Sequence, residues 1–398
     1  MLSTDHSKLD SLLRSYTGRT NGIPGVSATV VTKDGPIYTG VAGVTSADPE
    51  RARPMAPDTV YWIASQTKIM TAIAAMQCVE RSQIALDDPV GSILPELAEL
   101  DVIEGFERSG RPKLRKAKTD ITLRMLLTHT SGLAYNFMHP DLIKRNLFVG
   151  KKNGISERAH ISEYDEPLVF EPGSGWAYGT GLDRAGQMIE RLNGCTLEDF
   201  MKDNIWTPLG MTSTTFRLET RPDLMSRKVD MTRRRRNGVL VPALQPYGFP
   251  ADHDLGGIGV YSTVEDYGKL LQALLQDGHA GILKPESVNE IFKPQLEDIL
   301  GEEHYWTMFP GISAELKVNF GLSTSIRMTT AKNTRKVGSG SWLGYPNLMW
   351  WVDRKTGVAC TIFKQILPVE DPIALKLDAE FESAVYECIT KNQLKGKL

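Results

Sequence analysis

The sequence predicts an α/β (α+β) chain, in which an antiparallel sheet is flanked by terminal helices and interrupted by an inserted helical domain. β-rich runs lie towards both ends: Val26 to Thr32 and Ile37 to Val44, then Val318 to Met328, Arg335 to Trp342, Leu348 to Val352 and Val358 to Phe363. Helical patterns bracket them, from about Asp5 to Tyr16 and from about Pro372 to Thr390. Between the two sets, helical patterns alternate with loops. The expected division is residues 1–85 plus 255–398 for the sheet domain and 86–254 for the mainly helical one. The active site is expected at their junction, where pockets tend to form.

Each element has a local reason. Leu9, Leu12 and Leu13 share a stripe on the first helix, which the glycines from Gly22 to Gly25 break. Lys33-Asp34-Gly35-Pro36 separates the first two strands as a hairpin turn. A proline-rich connector (Pro49, Pro54, Pro57) leads to Tyr61-Trp62-Ile63-Ala64-Ser65-Gln66-Thr67-Lys68 and then to an Ala-, Ile- and Met-rich run to Glu80 without Gly or Pro. That run predicts a buried helix starting at Ser65. Leu86 to Val90 reads as a helix start, Thr122 to His129 as a short helix ended by Ser131-Gly132, and Leu182 to Leu192 and Leu197 to Asn204 as further helices. Residues 212–254 are irregular and polar. Ser262 and Thr263 can cap a helix running to Leu275, and Lys355-Thr356-Gly357 turns between the last two strands.

Ser65 and Lys68 are three apart, so on a helix hydroxyl and amine share a face. A serine hydroxyl is a weak nucleophile without a base beside it. An ordinary lysine, of pKa about 10.4, is neutral only about four times in ten thousand at pH 7, and bringing a lysine to about 7 takes roughly 4.6 kcal/mol. Burial and a helix N-terminus both disfavour the ammonium form. Ser-x-x-Lys also arises by chance on solvated helix faces. The apolar run that follows argues for burial here.

Composition narrows the function. Charged residues are 24% and hydrophobic residues 41% of 398, with a net charge of −2, so neither a polyanion nor a membrane is implied as partner. Arg233-Arg234-Arg235-Arg236 reads as a solvated loop rather than a nucleic-acid patch. Cys78, Cys195, Cys360 and Cys388 have no Cys-x-x-Cys spacing, which favours reduced thiols in an intracellular protein over a disulfide framework or zinc site. The histidines lack ligand spacing, so no metal is expected, and no dinucleotide or phosphate-loop fingerprint implies a cofactor. With no apolar signal core at the start and no run of membrane-spanning length, a cytoplasmic location is expected. The C-terminal Gly-Lys-Leu loosely resembles a peroxisomal address.

Four segments occur in order: Ser65-Gln66-Thr67-Lys68, Leu126-Leu127-Thr128-His129-Thr130-Ser131-Gly132-Leu133, Pro172-Gly173-Ser174-Gly175-Trp176-Ala177-Tyr178-Gly179 and Gly256-Gly257-Ile258-Gly259. Together they resemble the serine β-lactamase-like superfamily, in its esterase and transesterase branch (family VIII carboxylesterases), and most of all the fungal LovD-type acyltransferases and statin esterases. The resemblance spans roughly residues 5–390 and implies the β-lactamase/transpeptidase-like fold. It also implies that Tyr178 is the third catalytic residue, sharing a proton network with Lys68 in which either can be the base. Trp342-Leu343-Gly344 stands where penicillin-recognising members carry Lys-Thr-Gly, so no cation is present to bind a substrate carboxylate. The implied oxyanion hole is the backbone N–H of Ser65 and of Tyr345. Trp342, Gly344, Tyr135, Tyr247 and Trp62 are candidate substrate-binding residues, and His129 is expected to cap a helix and brace the fold. Leu343 replaces an expected glycine and Val369 an expected pocket tryptophan.

The implied function is a serine ester hydrolase or acyltransferase working through an acyl-Ser65 intermediate. Its partners are small-acyl esters, or acyl thioesters as donors, of bulky hydrophobic, polyketide-like alcohols; no oligomeric state is implied. Two other readings stand beside it: a β-lactamase or D-Ala-D-Ala carboxypeptidase, and a non-catalytic scaffold that keeps the fold for binding.

Overall fold

A seven-stranded antiparallel sheet is assembled from the two ends of the sequence. In spatial order its strands are Gly35–Gly43, Gly25–Thr32, Val358–Phe363, Leu348–Asp353, Gly340–Gly344, Ser325–Arg327 and Val318–Phe320. The join between the two ends is the ladder from Ser27 opposite Phe363 to Thr32 opposite Val358. This computed structural model describes residues 6–278, 281–296 and 317–395.

Both faces of the sheet are covered, so the strands Gly25–Thr32, Leu348–Asp353 and Val358–Phe363 are buried nearly throughout, without alternation. On one face Leu9, Leu13 and Tyr16 of the Ser7–Thr17 helix and Leu377, Phe381 and Val385 of the Pro372–Lys395 helix pack on Val26, Ala28, Val30 and Trp351. On the other, Tyr267, Leu270, Leu271 and Leu274 of the Val264–Leu275 helix belong to one core with Trp350, Val352 and Phe363. The neighbours Trp350 and Trp351 are fully buried in different cores, because successive strand side chains point to opposite faces. This is the arrangement expected from the sequence, an antiparallel sheet flanked by the terminal helices.

The Thr67–Glu80 helix runs through the larger core and is buried along all but its last two residues. Its alanines let neighbours approach from every side. Polar groups on it find backbone acceptors: Thr71 Oγ1 donates to the Gly256 carbonyl (2.6 Å), and Gln77 Nε2 donates to the Asn204 and Ile282 carbonyls (2.9 and 2.8 Å). Thr263 caps the Val264–Leu275 helix as expected, its hydroxyl accepting the Asp266 N–H.

The structure differs from expectation in several places. Residues Asp101–Phe106 and Pro112–Lys116 form a β-hairpin inside the stretch read as helices and loops. The Pro140–Val149 helix, with Pro at its first turn and Gly150 at its C-cap, is additional. The Val318 to Met328 run is two short strands folded back at Ser323, which has φ +67°. Regular pairing after Arg335 starts only at Gly340. The arginine run is not a uniformly solvated loop: Arg234 is half-buried, pairs with Asp371 through its guanidinium, and donates to the Gly22 carbonyl. Among the described residues no helix is long and apolar enough to cross a membrane.

Trp351→Ala should lower the free energy of unfolding by about 3–5 kcal/mol, whereas Leu244→Ala, at a fully solvated site, should change it by less than about 0.5 kcal/mol. Urea denaturation of both variants checks this.

Candidate active site

Ser65 is presented by a strained turn. The chain enters on the two-residue strand Tyr61–Trp62, paired with Tyr261–Ser262, and turns through Ala64 at φ +47°. That left-handed conformation costs an alanine about 1–2 kcal/mol. It starts the single 3₁₀ turn Ala64–Gln66 that feeds the long helix. Ser65 is 9% exposed and Lys68 has no exposure at all.

Lys68 Nζ has three acceptors: Ser65 Oγ at 3.2 Å, Tyr135 Oη at 3.0 Å and the Gly257 carbonyl at 2.7 Å. Tyr178 Oη donates to Ser65 Oγ at 2.7 Å, and the Trp342 indole N–H donates to Tyr178 Oη at 3.3 Å. The amine also lies 4.8 Å from the Tyr178 ring centroid and 5.3 Å from that of Tyr135. Serine, lysine and two tyrosines thus form one cluster, buried except for the half-buried Tyr178, in which a proton leaving Ser65 Oγ has two immediate neighbours, Lys68 Nζ and Tyr178 Oη.

Two loops hold the tyrosines. The Tyr135 N–H bonds to the Tyr178 carbonyl (3.1 Å), and the Ala177 N–H to the His129 carbonyl (3.0 Å). Gly179 makes that approach possible, since a Cβ there would stand 2.0 Å from the Leu133 carbonyl oxygen. His129 closes the Leu123–Thr128 helix at φ +60°, and its Nδ1 accepts the Gly179 N–H at 3.3 Å. Its ring stands edge-on to Tyr178 with centroids 4.8 Å apart. Burial, helped by the nearby Lys68 charge, pushes its pKa well below the usual imidazole value. It is a neutral brace, as its place in the motif suggests.

The remaining candidates divide. Trp342 lines the cluster. Tyr135 does more than wall a pocket, because its hydroxyl is a direct partner of the amine. Trp62 is fully buried, its indole N–H is taken by the Ile258 carbonyl (2.7 Å), and it stacks on Tyr247 at 5.6 Å. Tyr247 is 3% exposed, so it too braces from behind. Gly344 ends its strand against the Ser65 turn, where a Cβ would lie 2.7 Å from the Ile63 carbonyl oxygen. Tyr345, next in sequence, directs its ring towards Trp62, 6.3 Å away. Leu343 points to the opposite face, against the terminal-helix core, which explains why a large residue is accommodated. Val369 is 42% exposed. Lys355-Thr356-Gly357 lies at the far end of the strand from Gly344, roughly 17 Å along it at 3.4 Å per residue. Sequence reasoning did not single out the Gly257 carbonyl as a ligand of the amine, because a backbone acceptor leaves no side-chain signature.

A family model described as Beta-lactamase matches residues 9–382. The chain belongs to that family. Within the Beta-lactamase family, it is 38% identical over 346 residues to a monacolin J acid methylbutanoyltransferase of Aspergillus terreus, covering 84% of this chain and 83% of the relative. A lovastatin esterase of Penicillium rubens is 33% identical over 367 residues, covering 88% and 90%. Among solved structures, the LovD6 mutant of simvastatin synthase (LovD) from Aspergillus terreus superposes with a TM-score of 0.88 at 35% identity, over 98% of this chain and 99% of that one. Among the described residues no group of three or more His, Cys, Asp or Glu is placed to hold a metal.

His129 is neutral when folded and titrates near 6.5 when unfolded, so its contribution to stability is present above that pH and lost as pH falls below it. His129→Asn, which keeps a residue tolerant of positive φ, should lose less stability than the parent between pH 7 and pH 5.5, by on the order of 1 kcal/mol. Urea midpoints at the two pH values read the difference; parallel losses would contradict the assignment.

Proposed function

We propose that this chain is a serine ester hydrolase/acyltransferase that carries its acyl group on Ser65. The observation that carries the reading is the pair of contacts on one oxygen: Ser65 Oγ receives Tyr178 Oη at 2.7 Å and Lys68 Nζ at 3.2 Å. Such an oxygen is oriented and has a proton acceptor beside it.

In the proposed reaction Ser65 Oγ attacks the carbonyl carbon of an ester or thioester and its proton passes into the Lys68–Tyr178 network. The bond from carbonyl carbon to leaving oxygen or sulfur breaks, and the network returns the proton to the leaving group. The backbone N–H groups of Ser65 and Tyr345 take the developing oxyanion, worth roughly 3–4 kcal/mol each. Gly344 supports this placement by letting the strand end close on the Ser65 turn. The Trp342 N–H, aimed at Tyr178 Oη, stabilises negative charge as it develops there. Water or an acceptor alcohol then attacks the acyl-enzyme by the reverse sequence.

The substrate class is small-acyl esters or thioesters with bulky hydrophobic, polyketide-like alcohols. It draws support from relatives named for methylbutanoyl transfer to monacolin J acid and for lovastatin hydrolysis. Trp342-Leu343-Gly344 supplies an indole and no cation, which favours a neutral ester over a β-lactam or peptide carboxylate. The site draws on both segments of the proposed two-domain division, with Ser65, Lys68 and Trp342 from the sheet part and Tyr135 and Tyr178 from 86–254.

Brief incubation with a panel of acyl esters and thioesters should add one acyl mass to the intact protein, located on Ser65 by peptide mapping and absent in Ser65→Ala. Adding a polyketide-like acceptor alcohol should shorten the lifetime of the adduct. Turnover with no adduct at Ser65, or unaltered turnover by Ser65→Ala, would sink the reading.

A further inference from the structure

Lys68 is walled in, with no exposure to solvent. An anion lies behind the Gly257 backbone. Asp183, in the first turn of the Gly181–Asn193 helix, is 1% exposed and takes the Gly257 N–H on Oδ1 at 2.8 Å, while the Gly257 carbonyl takes the Lys68 amine at 2.7 Å. Residue 257 is therefore gripped from both sides, by a carboxylate on its N–H and an amine on its C=O.

A second observation is steric. Gly257 has an ordinary φ, so its glycine is not required by backbone conformation. A Cβ there would stand 2.4 Å from Asp183 Oδ2 and 2.8 Å from Cγ. The glycine makes room for the carboxylate. A third is the unmet demand of Asp183 itself, whose Oδ2 is buried without a hydrogen-bond partner. A buried carboxylate oxygen without a hydrogen-bond partner costs stability.

We propose that Asp183 is a positioning residue for the Ser65 reaction, a buried counter-charge that acts across Gly257 to hold the Lys68 amine and stabilise the ammonium formed when it takes the serine proton. The proposal rests on the acyl-Ser65 reading. Among the described residues no direct ion pair joins Asp183 to Lys68, so the coupling is through space and through the Gly257 dipoles.

The environment of Asp183 agrees. Burial raises its pKa to about 6, against the lowering effect of Lys68, the Gly257 N–H and Arg184. Lys68 and Arg184 are its cationic neighbours, and Tyr135, Tyr164 and Tyr247 are the phenols that feel its charge. On its other side is a cavity of ≈ 170 Å³ whose charged or titratable lining includes Glu190, Arg191, His253 and Asp254. Because its folded pKa lies above the unfolded value, the favourable contribution of Asp183 to stability is full at low pH and lost as pH rises through 6. At pH 7 it is an ionised liability to the fold.

That liability separates the proposed role from a structural one. Asp183→Asn keeps an acceptor for the Gly257 N–H and removes the charge. At pH 7 it should unfold at a urea concentration no lower than the parent, yet show kcat for ester turnover reduced about 10- to 100-fold with KM within about threefold. The acid limb of its kcat/KM profile should move to lower pH, since the ammonium has lost its anion. Gly257→Ala, which displaces the carboxylate without altering its charge, should lower kcat in the same direction, and it alone decides if Asp183→Asn does not fold. Wild-type kcat and an unmoved acid limb in the folded variants would overturn the proposal. Ser65→Ala is assayed in parallel: if it stays active, the acyl-Ser65 reading fails instead, so the two failures are told apart.

Discussion

Burying an amine is expensive unless each of its hydrogens meets an acceptor. The fold places three acceptors around Lys68 Nζ from three different segments: a serine one turn back, a tyrosine from the loop after His129, and a carbonyl from the glycine run at 256–259. None of the three can move far without leaving a buried polar group unpaired. This satisfied amine ties the catalytic candidates to the architecture. It locks the first turn of the central helix against the Gly257 segment and the Tyr135 loop at one point.

The glycines near the site follow from that constraint. Gly179, Gly257 and Gly344 each stand where a Cβ would meet the Leu133 carbonyl, the Asp183 carboxylate or the Ile63 carbonyl. They allow backbone segments to close around a cluster whose side chains are large. The strain at Ala64 has the same origin. A left-handed residue immediately before the serine turns the chain sharply enough to present Oγ at the cluster while the rest of the helix sinks into the core.

Ser65 and Lys68 were legible because their relation is local, set by helical spacing. The sheet was legible because its strands are continuous apolar runs with turn residues between them, and Thr263 because capping is a short-range interaction. Tyr178 was reachable only by resemblance: its contact with Ser65 spans more than a hundred residues, and no local pattern encodes it. The surroundings of Trp62 were hidden for the same reason: its stacking on Tyr247 and its bond to the Ile258 carbonyl join positions nearly two hundred residues apart. Arg234 was hidden in a run that composition alone reads as solvent-facing, whereas its partner Asp371 lies 137 positions away. The hairpin at 101–116 lacks the β-branched richness of the main sheet and is largely solvated, so its alternation is faint.

The central claim is that Lys68 and Tyr178 act on Ser65 as one proton network and not as two independent aids. A double-mutant cycle on the single-turnover acylation rate tests it most directly, using Lys68→Met, Tyr178→Phe and the pair. Residues that act as a unit are strongly non-additive. The account predicts that each single variant loses about a thousandfold and that the double variant loses little more than the worse single. If the two losses multiply, each group contributes on its own and the shared network is contradicted.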